Sequence, residues 1–345
     1  MSQPQRARVT PGGATLRDIA KVVGLSLSAV SMALHDHPRI GADTKVRVRE
    51  VASSLGYVPN SAGRALRAQR SGSLALIVPN TSQHVFGHAY FMHVLTGVSQ
   101  VVNERDSQLV ISTNPDELHG MAAYERVLRS GSVDGALITS ASVHDPNIAR
   151  LVDSGLPIVL LGRFPHIPTA VSVGADDEGA ALEATEHLIV VHGRRALLHL
   201  SGPLDHQSAI DRRNGFIAAT MKHGVKARVV EGDYSESSGT RAASAIRQDD
   251  RPDGIFAAND EMAFGMMTAL AEQGLATPEQ VSVVGFDDFG LSRVTTPSIT
   301  TVHVPAERMA RLATERLFDL IAGEPIDETL LELPVSLVVR ESCGC

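Results

Sequence analysis

Residues 15–34, TLRDIAKVVGLSLSAVSMAL, carry a helix–glycine–helix pattern that leaves little choice of local fold. Leu16, Ile19, Ala20 and Val23 recur at i, i+3, i+4 and i+7, the spacing that buries one face of a helix. Thr15 precedes the run and Asp18 follows it by three, an approximate capping box with Asp in place of Glu. Gly24 is placed to end the helix, where a left-handed cap needs no Cβ. Ser26 then suits the N-cap of a second helix with Ala29, Val30 and Ala33 facing inward. A third helix is expected over about 43–55, with Lys45, Arg47 and Arg49 on it. Helix, glycine turn and short helix make a helix-turn-helix, although a generic three-helix bundle would share the pattern.

Charge is divided unevenly along the chain. Residues 1–70 hold 11 Lys/Arg against 4 Asp/Glu, and the remainder holds 20 against 35. A basic module favours a phosphate backbone, while an acidic body discourages indiscriminate adhesion of the rest. The first fourteen residues lack the apolar stretch of a signal peptide, and no run of eighteen apolar residues occurs, so a cytoplasmic protein is expected. Cys343 and Cys345 are the two cysteines, too few for a disulfide framework and suited to a reducing compartment. The plain reading of that tail is a frayed terminus; a metal or redox role is the sharper one.

From residue 73 apolar runs alternate with helical segments. Runs at 74–79, 108–113, 134–139 and 157–162 form one series, and runs at 195–202, 227–232, 254–260 and 281–288 a second. Such alternation implies parallel sheets covered on both faces, here in two similar lobes. Ligands bind beyond the carboxyl ends of such strands, which singles out Asn80, Arg163, Asn259, Asp260 and Asp287.

Gly56-Tyr57-Val58-Pro59-Asn60, followed by NSAGRALRAQR at 60–70, makes the pattern specific. The chain resembles the lactose-repressor (LacI-type) family of bacterial transcription regulators, and the resemblance runs to residue 341. It implies an α/β protein: an N-terminal three-helix helix-turn-helix DNA-binding domain with a hinge helix, then a two-lobed periplasmic-binding-protein-like core with parallel sheets. The expected boundaries are a flexible arm at 1–14, the DNA-binding domain at 15–60, the hinge at 61–72 and an effector-binding and dimerisation domain at 73–345. Within the last, lobe 1 is expected at about 73–168 and 299–332, and lobe 2 at about 169–298 and 333–342.

The resemblance also implies roles. Leu27, Ser28 and Met32 would face base edges; Ser26 and Ser31, near a helix N-terminus that favours phosphate, would position the module, and Thr15 and Asn60 complete the expected DNA-binding set. Arg64 would neutralise phosphate and Leu66 would wedge between base pairs in the minor groove. Leu27 and Met32 depart from the polar residues common there, so contact with thymine methyl groups is expected in place of bidentate bonds. Ser82, Phe86, Arg163, Arg212, Asn259 and Asp287 form the expected effector set. An Arg–Asp pair with an amide suits a sugar or polyol, although Arg212 and Asp287 could instead make a structural salt bridge. Asp176 stands where relatives often place Asn.

The partners expected are a palindromic double-stranded operator, a small effector and a second copy of the chain, with no membrane and no cofactor. His84 and His88 are too few to define a metal site. A solute-binding protein is the alternative, which the basic module disfavours. Asp287, Asp288 and His199 lack an accompanying nucleophile motif, phosphate loop or metal signature, so no enzyme is expected.

Overall fold

The structure, a computed structural model, describes residues 14–57, 70–115 and 121–345, with the side chains of His84 and Gln248 outside the description. Asn60, Arg64, Leu66 and most of the expected hinge therefore lie outside the described residues. The chain divides into two compact units, Met1–Ser71 and Gly72–Cys345.

The first unit is built on α1 (Leu16–Val23), α2 (Leu27–Leu34) and α3 (Ala42–Ser54). Ile19 and Val23 from α1, Val30 and Ala33 from α2, and Val48 and Ala52 from α3 meet in one apolar core. Leu16, Ala20, Leu25 and Tyr57 pack against its rim. Ala29, expected inward, is half-buried and stands apart from that core. Both the Thr15 N–H and its hydroxyl donate to Asp18 Oδ2, at 2.9 and 2.7 Å, so the short Asp still reaches back to close the first turn. Gly24 ends α1 at φ 71°.

The second unit begins with β1 (Ser73–Thr81), α4 (Ser82–Gly87), α5 (Ala89–Glu104), β2 (Gln108–Asn114), α6 (Ala122–Ser130), β3 (Gly135–Thr139), α7 (Pro146–Asp153), β4 (Ile158–Leu161) and β5 (Val171–Ala175). The chain then crosses to α8 (Asp177–Glu186), which runs into a π-helical turn at His187–Val191. β6 (Ala196–Ser201), α9 (Gln207–His223), β7 (Lys226–Glu231), α10 (Glu236–Ser244), β8 (Gly254–Ala257), α11 (Asp260–Glu272), β9 (Ser282–Asp287), α12 (Leu291–Val294) and β10 (Thr300–His303) follow. The last elements are α13 (Ala306–Ala322), β11 (Leu330–Leu333), β12 (Ser336–Val338) and a 3-10 turn at Glu341–Cys343.

Among the described residues these strands form two six-stranded sheets, ordered β11-β5-β4-β3-β1-β2 and β12-β10-β9-β8-β6-β7. Neighbours pair parallel except β10 with β12. In the first sheet β1 lies between β2 and β3, with Leu76 opposite Ile111 on one side and Leu137 on the other. Burial on both faces explains why β1, β3 and β4 read as continuous apolar runs.

Two strands fall across the boundaries expected from the sequence. β5 belongs to the first sheet, since Val171 and Val173 pair with Val159 and Leu161 of β4, so lobe 1 extends past 168. β10 belongs to the second sheet, where Thr300 pairs with Val284, although 299–332 was expected in lobe 1. The chain thus crosses between sheets at 175–177, at 303–306 and at 333–336.

In the second lobe α8 and α9 lie close together. A Cβ on Gly215 would sit 2.1 Å from the Glu178 carbonyl oxygen, so only glycine admits this approach. That contact holds the start of α8 beside the middle of α9, where the cleft residues lie.

Candidate functional site

In the first unit the opening turn of α2 is exposed. Ser26 accepts from the Ala29 N–H at 3.2 Å, which orients the start of the helix, and its hydroxyl lies 3.0 Å from that of Ser28. Leu27 is 45% exposed, and Ser28 is exposed beside it. Ser31 and Met32 follow one turn later, half-buried, so these residues share a face. Thr15, also exposed, is engaged in the α1 cap. The basic residues of α3 divide. Lys45 donates to the Asp36 carbonyl at 3.0 Å and Arg49 pairs with the Asp36 carboxylate, so both brace the loop after α2, while Arg47 is exposed.

In the second unit a cavity of about 190 Å³ lies between the lobes, at the carboxyl ends of the strands. Arg212, on α9, occupies its wall and is only 7% exposed. Its Nε donates to Asp177 Oδ1 at 2.7 Å and its Nη1 to the Ala258 carbonyl at 2.5 Å. Asp287 Oδ1 stands 3.6 Å from Nη1, and the guanidinium carbon lies 3.7 Å from the centre of the Phe286 ring. Burial opposes the charge on Arg212, but Asp177 and Asp287 outweigh it and hold the group protonated. Asp287 is pushed well above the usual carboxylate range, because burial exceeds the attraction of Arg212. It also sits at φ 109°, a backbone conformation costly for any residue but glycine. Asp287 thus combines an unfavourable backbone, poor solvation and an arginine neighbour at the wall of the cavity.

The other expected effector residues fare unequally. Asn259 lines the cavity, but its Oδ1 caps α11 through the Met262 N–H at 2.9 Å and its Nδ2 donates to the Tyr234 carbonyl at 2.9 Å. Arg163 lines the cavity and bridges the lobes, 3.4 Å from Asp211 on α9 and 3.4 Å from Glu332 on β11. Ser82 and Phe86 do not line it. Both lie on α4 and face solvent, with Phe86 59% exposed. Asn80 likewise is absent from the lining, whereas Asp260 contributes to it.

Several cavity residues escaped the sequence reading. Asp177 is the chief one. Asp176 holds the motif position, but it serves as N-cap of α8, accepting from the Gly179 N–H at 2.9 Å, and the next carboxylate turns inward to Arg212. Tyr90 and Phe289 supply aromatic surface, and burial raises the Tyr90 hydroxyl to about 12. His88 is half-buried on α5's N-terminal side, with Nδ1 2.6 Å from Glu261 of α11 in the other lobe. That pairing gives His88 a cross-lobe role that a histidine spacing could not suggest.

Of the acid–base groups considered from sequence, Asp287 lies in the cleft, whereas His199 and Asp288 are engaged in packing and ion pairs. His199 is fully buried, stacked 4.8 Å from Phe256 and 5.2 Å from Phe216, with Nδ1 2.9 Å from the Phe256 carbonyl. A carbonyl only accepts, so the Nδ1–H tautomer is the one that fits. Asp288 receives Ser292, Arg293 and Arg340, which offset burial and hold it down at about 2.

Comparison with known proteins agrees with this geometry. Residues 15–60 match the bacterial regulatory proteins of the lacI family, and residues 185–343 match the periplasmic binding protein-like domain. The chain is 32% identical over 338 residues to the HTH-type transcriptional regulator CelR of Thermobifida fusca, covering 95% of this chain and 98% of that one. It is 30% identical over 334 residues to the probable HTH-type transcriptional repressor ExuR of Bacillus subtilis, covering 95% and 98%. Among solved structures, a CelR–cellobiose complex aligns with TM-score 0.73 at 29% identity, covering 95% and 99% of the two chains. A lac repressor dimer bound to operator and the anti-inducer ONPF aligns with TM-score 0.86 at 25% identity, covering 96% and 99%. No helix among the described residues is long and apolar enough to cross a membrane. With a helix-turn-helix unit leading a two-lobed cleft, and with relatives matched over nearly its whole length, the chain belongs to the lacI family of bacterial regulatory proteins and is a DNA-binding transcriptional regulator.

Proposed function

We propose that this regulator is a homodimeric repressor of the bacterial cytoplasm whose affinity for a palindromic operator is set by a sugar or polyol held between the lobes. The observation that carries the effector class is Arg212 flanked by Asp177 and Asp287 in one wall of the cleft. Hydroxyl groups both donate and accept, so adjacent hydroxyls satisfy a guanidinium and a carboxylate together. The bonds to Asp177 and Ala258 use two of the five N–H donors of Arg212, and the group retains donor capacity toward the cavity. Tyr90 and Phe289 offer the apolar faces that sugar C–H surfaces stack on. The cellobiose in the CelR complex is in keeping with this class. On the DNA side, Ser26, Leu27, Ser28, Ser31 and Met32 are assigned to the operator, with Thr15, Asn60, Arg64 and Leu66 supporting them. The catalytic constellation of an enzyme has no counterpart in this assignment.

Thermal denaturation with cellobiose, monosaccharides, polyols and a purine base tests the reading. A ligand at a hundredfold over its Kd stabilises the fold by about 2.7 kcal/mol. A sugar or polyol is expected to raise the Tm, and Arg212→Lys, which keeps the charge but loses the planar fork, is expected to abolish that rise. A rise with the purine base alone, or a sugar-induced rise unchanged in Arg212→Lys, would overturn the assignment.

A further inference from the structure

Away from the cleft, four metal-ligating side chains converge at the far end of α8. The helix gives way there to the π turn, and His192 caps it. In a regular α-helix, residues five apart lie about 140° around the axis from one another. The wider π turn brings them together, and His187 Nε2 lies 3.2 Å from His192 Nε2. Residues 341–345 approach from the other side. Gly344, at φ 105°, turns the chain so that both thiols face the imidazoles. Cys343 Sγ is 3.4 Å from His187 Nε2, and Cys345 Sγ is 3.3 Å from His192 Nε2 and 3.7 Å from His187 Nε2. All four ligand atoms lie within 4.8 Å of one another, and both cysteines are free.

These separations can be set against a tetrahedral zinc ion. Zn–N of about 2.0–2.1 Å and Zn–S of about 2.3 Å at tetrahedral angles place nitrogens about 3.3–3.4 Å apart and nitrogen and sulfur about 3.6 Å apart. The His187–His192 contact and the three imidazole–thiol contacts fall within a few tenths of an ångström of those values, and the remaining pairs lie within 4.8 Å, a spread that a bound ion would draw in. Hydrogen bonding alone would not draw two imidazoles and two thiols into mutual contact, because each thiol is a weak donor and a weak acceptor.

The ligand-bearing arm is built into the second sheet. Its Ser342 N–H donates to the Ser298 carbonyl at 2.9 Å and its hydroxyl to the Val283 carbonyl at 2.6 Å, while Glu341 accepts from the Ser298 N–H at 2.8 Å. Ser282 donates to the Cys343 carbonyl at 2.6 Å. Thr300 Oγ1 donates to Cys343 Sγ at 3.1 Å, the outer bond that steadies a thiolate ligand. These contacts replace the frayed end expected from sequence.

We propose that His187, His192, Cys343 and Cys345 bind one zinc(II) ion in a closed, four-coordinate structural site. Two imidazoles and two thiolates suit zinc over calcium or magnesium, which take oxygen ligands. Four protein ligands leave no open position, so the ion has a structural role. Binding is not a redox step: zinc(II) forms two Zn–N and two Zn–S bonds, and the two thiol protons pass to solvent. The ion would tie the 341–345 arm to the end of α8, whose first residue, Asp177, holds Arg212 in the cleft.

The test uses the untagged full chain, purified in reductant without chelator. Metal analysis is expected to find about one zinc per chain, and the stripped protein is expected to take up one cobalt(II) with the visible bands of a tetrahedral thiolate site. Cys345→Ser and His192→Asn, at exposed and half-buried positions, should each weaken zinc binding at least about tenfold while circular dichroism shows the fold intact. Reduced, folded protein that binds neither ion stoichiometrically would overturn the proposal. So would undiminished binding by both variants.

Discussion

At the scale of single residues, environment decides which polar groups serve the cleft and which serve the core. The family resemblance pointed to Arg212, and both that resemblance and the end of an apolar run pointed to Asp287; the structure puts both side chains in the cleft. Asp177 was not legible, since in Asp176-Asp177 the helix start separates a capping carboxylate from an inward one, and a linear motif does not say which is which. His199 shows the reverse case, a titratable residue whose role is packing. Burial is the main cause that lowers it to about 4 from the ordinary 6.5. The unfolded chain therefore binds the proton more tightly, so stability is full above about pH 6.5 and falls as the pH drops toward 4. A shift of this size corresponds to a loss on the order of 3 kcal/mol across that window. Buried Asp260 and Asp287, both raised by burial, work in the opposite sense over this range, so the His199 share is read from the difference. In denaturant melts from pH 7 to 4 the parent should lose stability relative to His199→Gln, which can keep the bond to Phe256 but does not titrate. Equal pH slopes in both proteins would remove His199 as the source of that loss.

At the scale of elements, helix starts and close approaches carry function. The α1 cap, the Gly24 stop and the α2 core face follow from local spacing, which is why the first unit could be read closely from residues 15–34. The lobe boundaries were harder to read, because β5 and β10 are only five and four residues long and their sheet is chosen by pairing partners remote in sequence. The sharp approach of α8 to α9 leads to a prediction. Gly215→Ala places a methyl against the Glu178 carbonyl, and overpacking of this kind typically costs about 1–3 kcal/mol. Because the two helices carry Asp177 and Arg212, the variant should also weaken effector binding; isothermal titration with an unchanged Kd would show that the cleft tolerates the shift. On α2, Leu27 is expected to meet a thymine methyl, worth about 0.8 kcal/mol by burial of one such group. Replacing thymine by uracil in the operator should weaken the parent protein and leave Leu27→Ala unaffected. A parent protein indifferent to the replacement would exclude that contact.

At the scale of the whole molecule, the two lobes of the second unit share an apolar cluster and three chain crossings, to which several polar and aromatic contacts are added. His88 meets Glu261, Arg163 meets Asp211, the Val143 N–H donates to the Asp205 carbonyl at 2.7 Å, and Phe289 stacks 4.6 Å from His93. His88, Glu261, Arg163, Asp211 and Phe289 also line the cavity, so a ligand there would touch groups that hold the lobes to each other. A ligand shifts such an equilibrium only by its differential affinity for the two arrangements. Leu66 and Arg64, which lie outside the described residues, are assigned by sequence to the segment that reports this change to DNA. Titration of the full chain onto a palindromic duplex from its own upstream region tests most directly that one chain couples a cleft to an operator. Fluorescence anisotropy at fixed salt, against a scrambled duplex, should show specific binding whose Kd changes at least about tenfold, or about 1.4 kcal/mol, when the effector found by thermal shift is added. Equal affinity for the two duplexes, or an operator Kd unmoved by an effector that demonstrably binds, would contradict it.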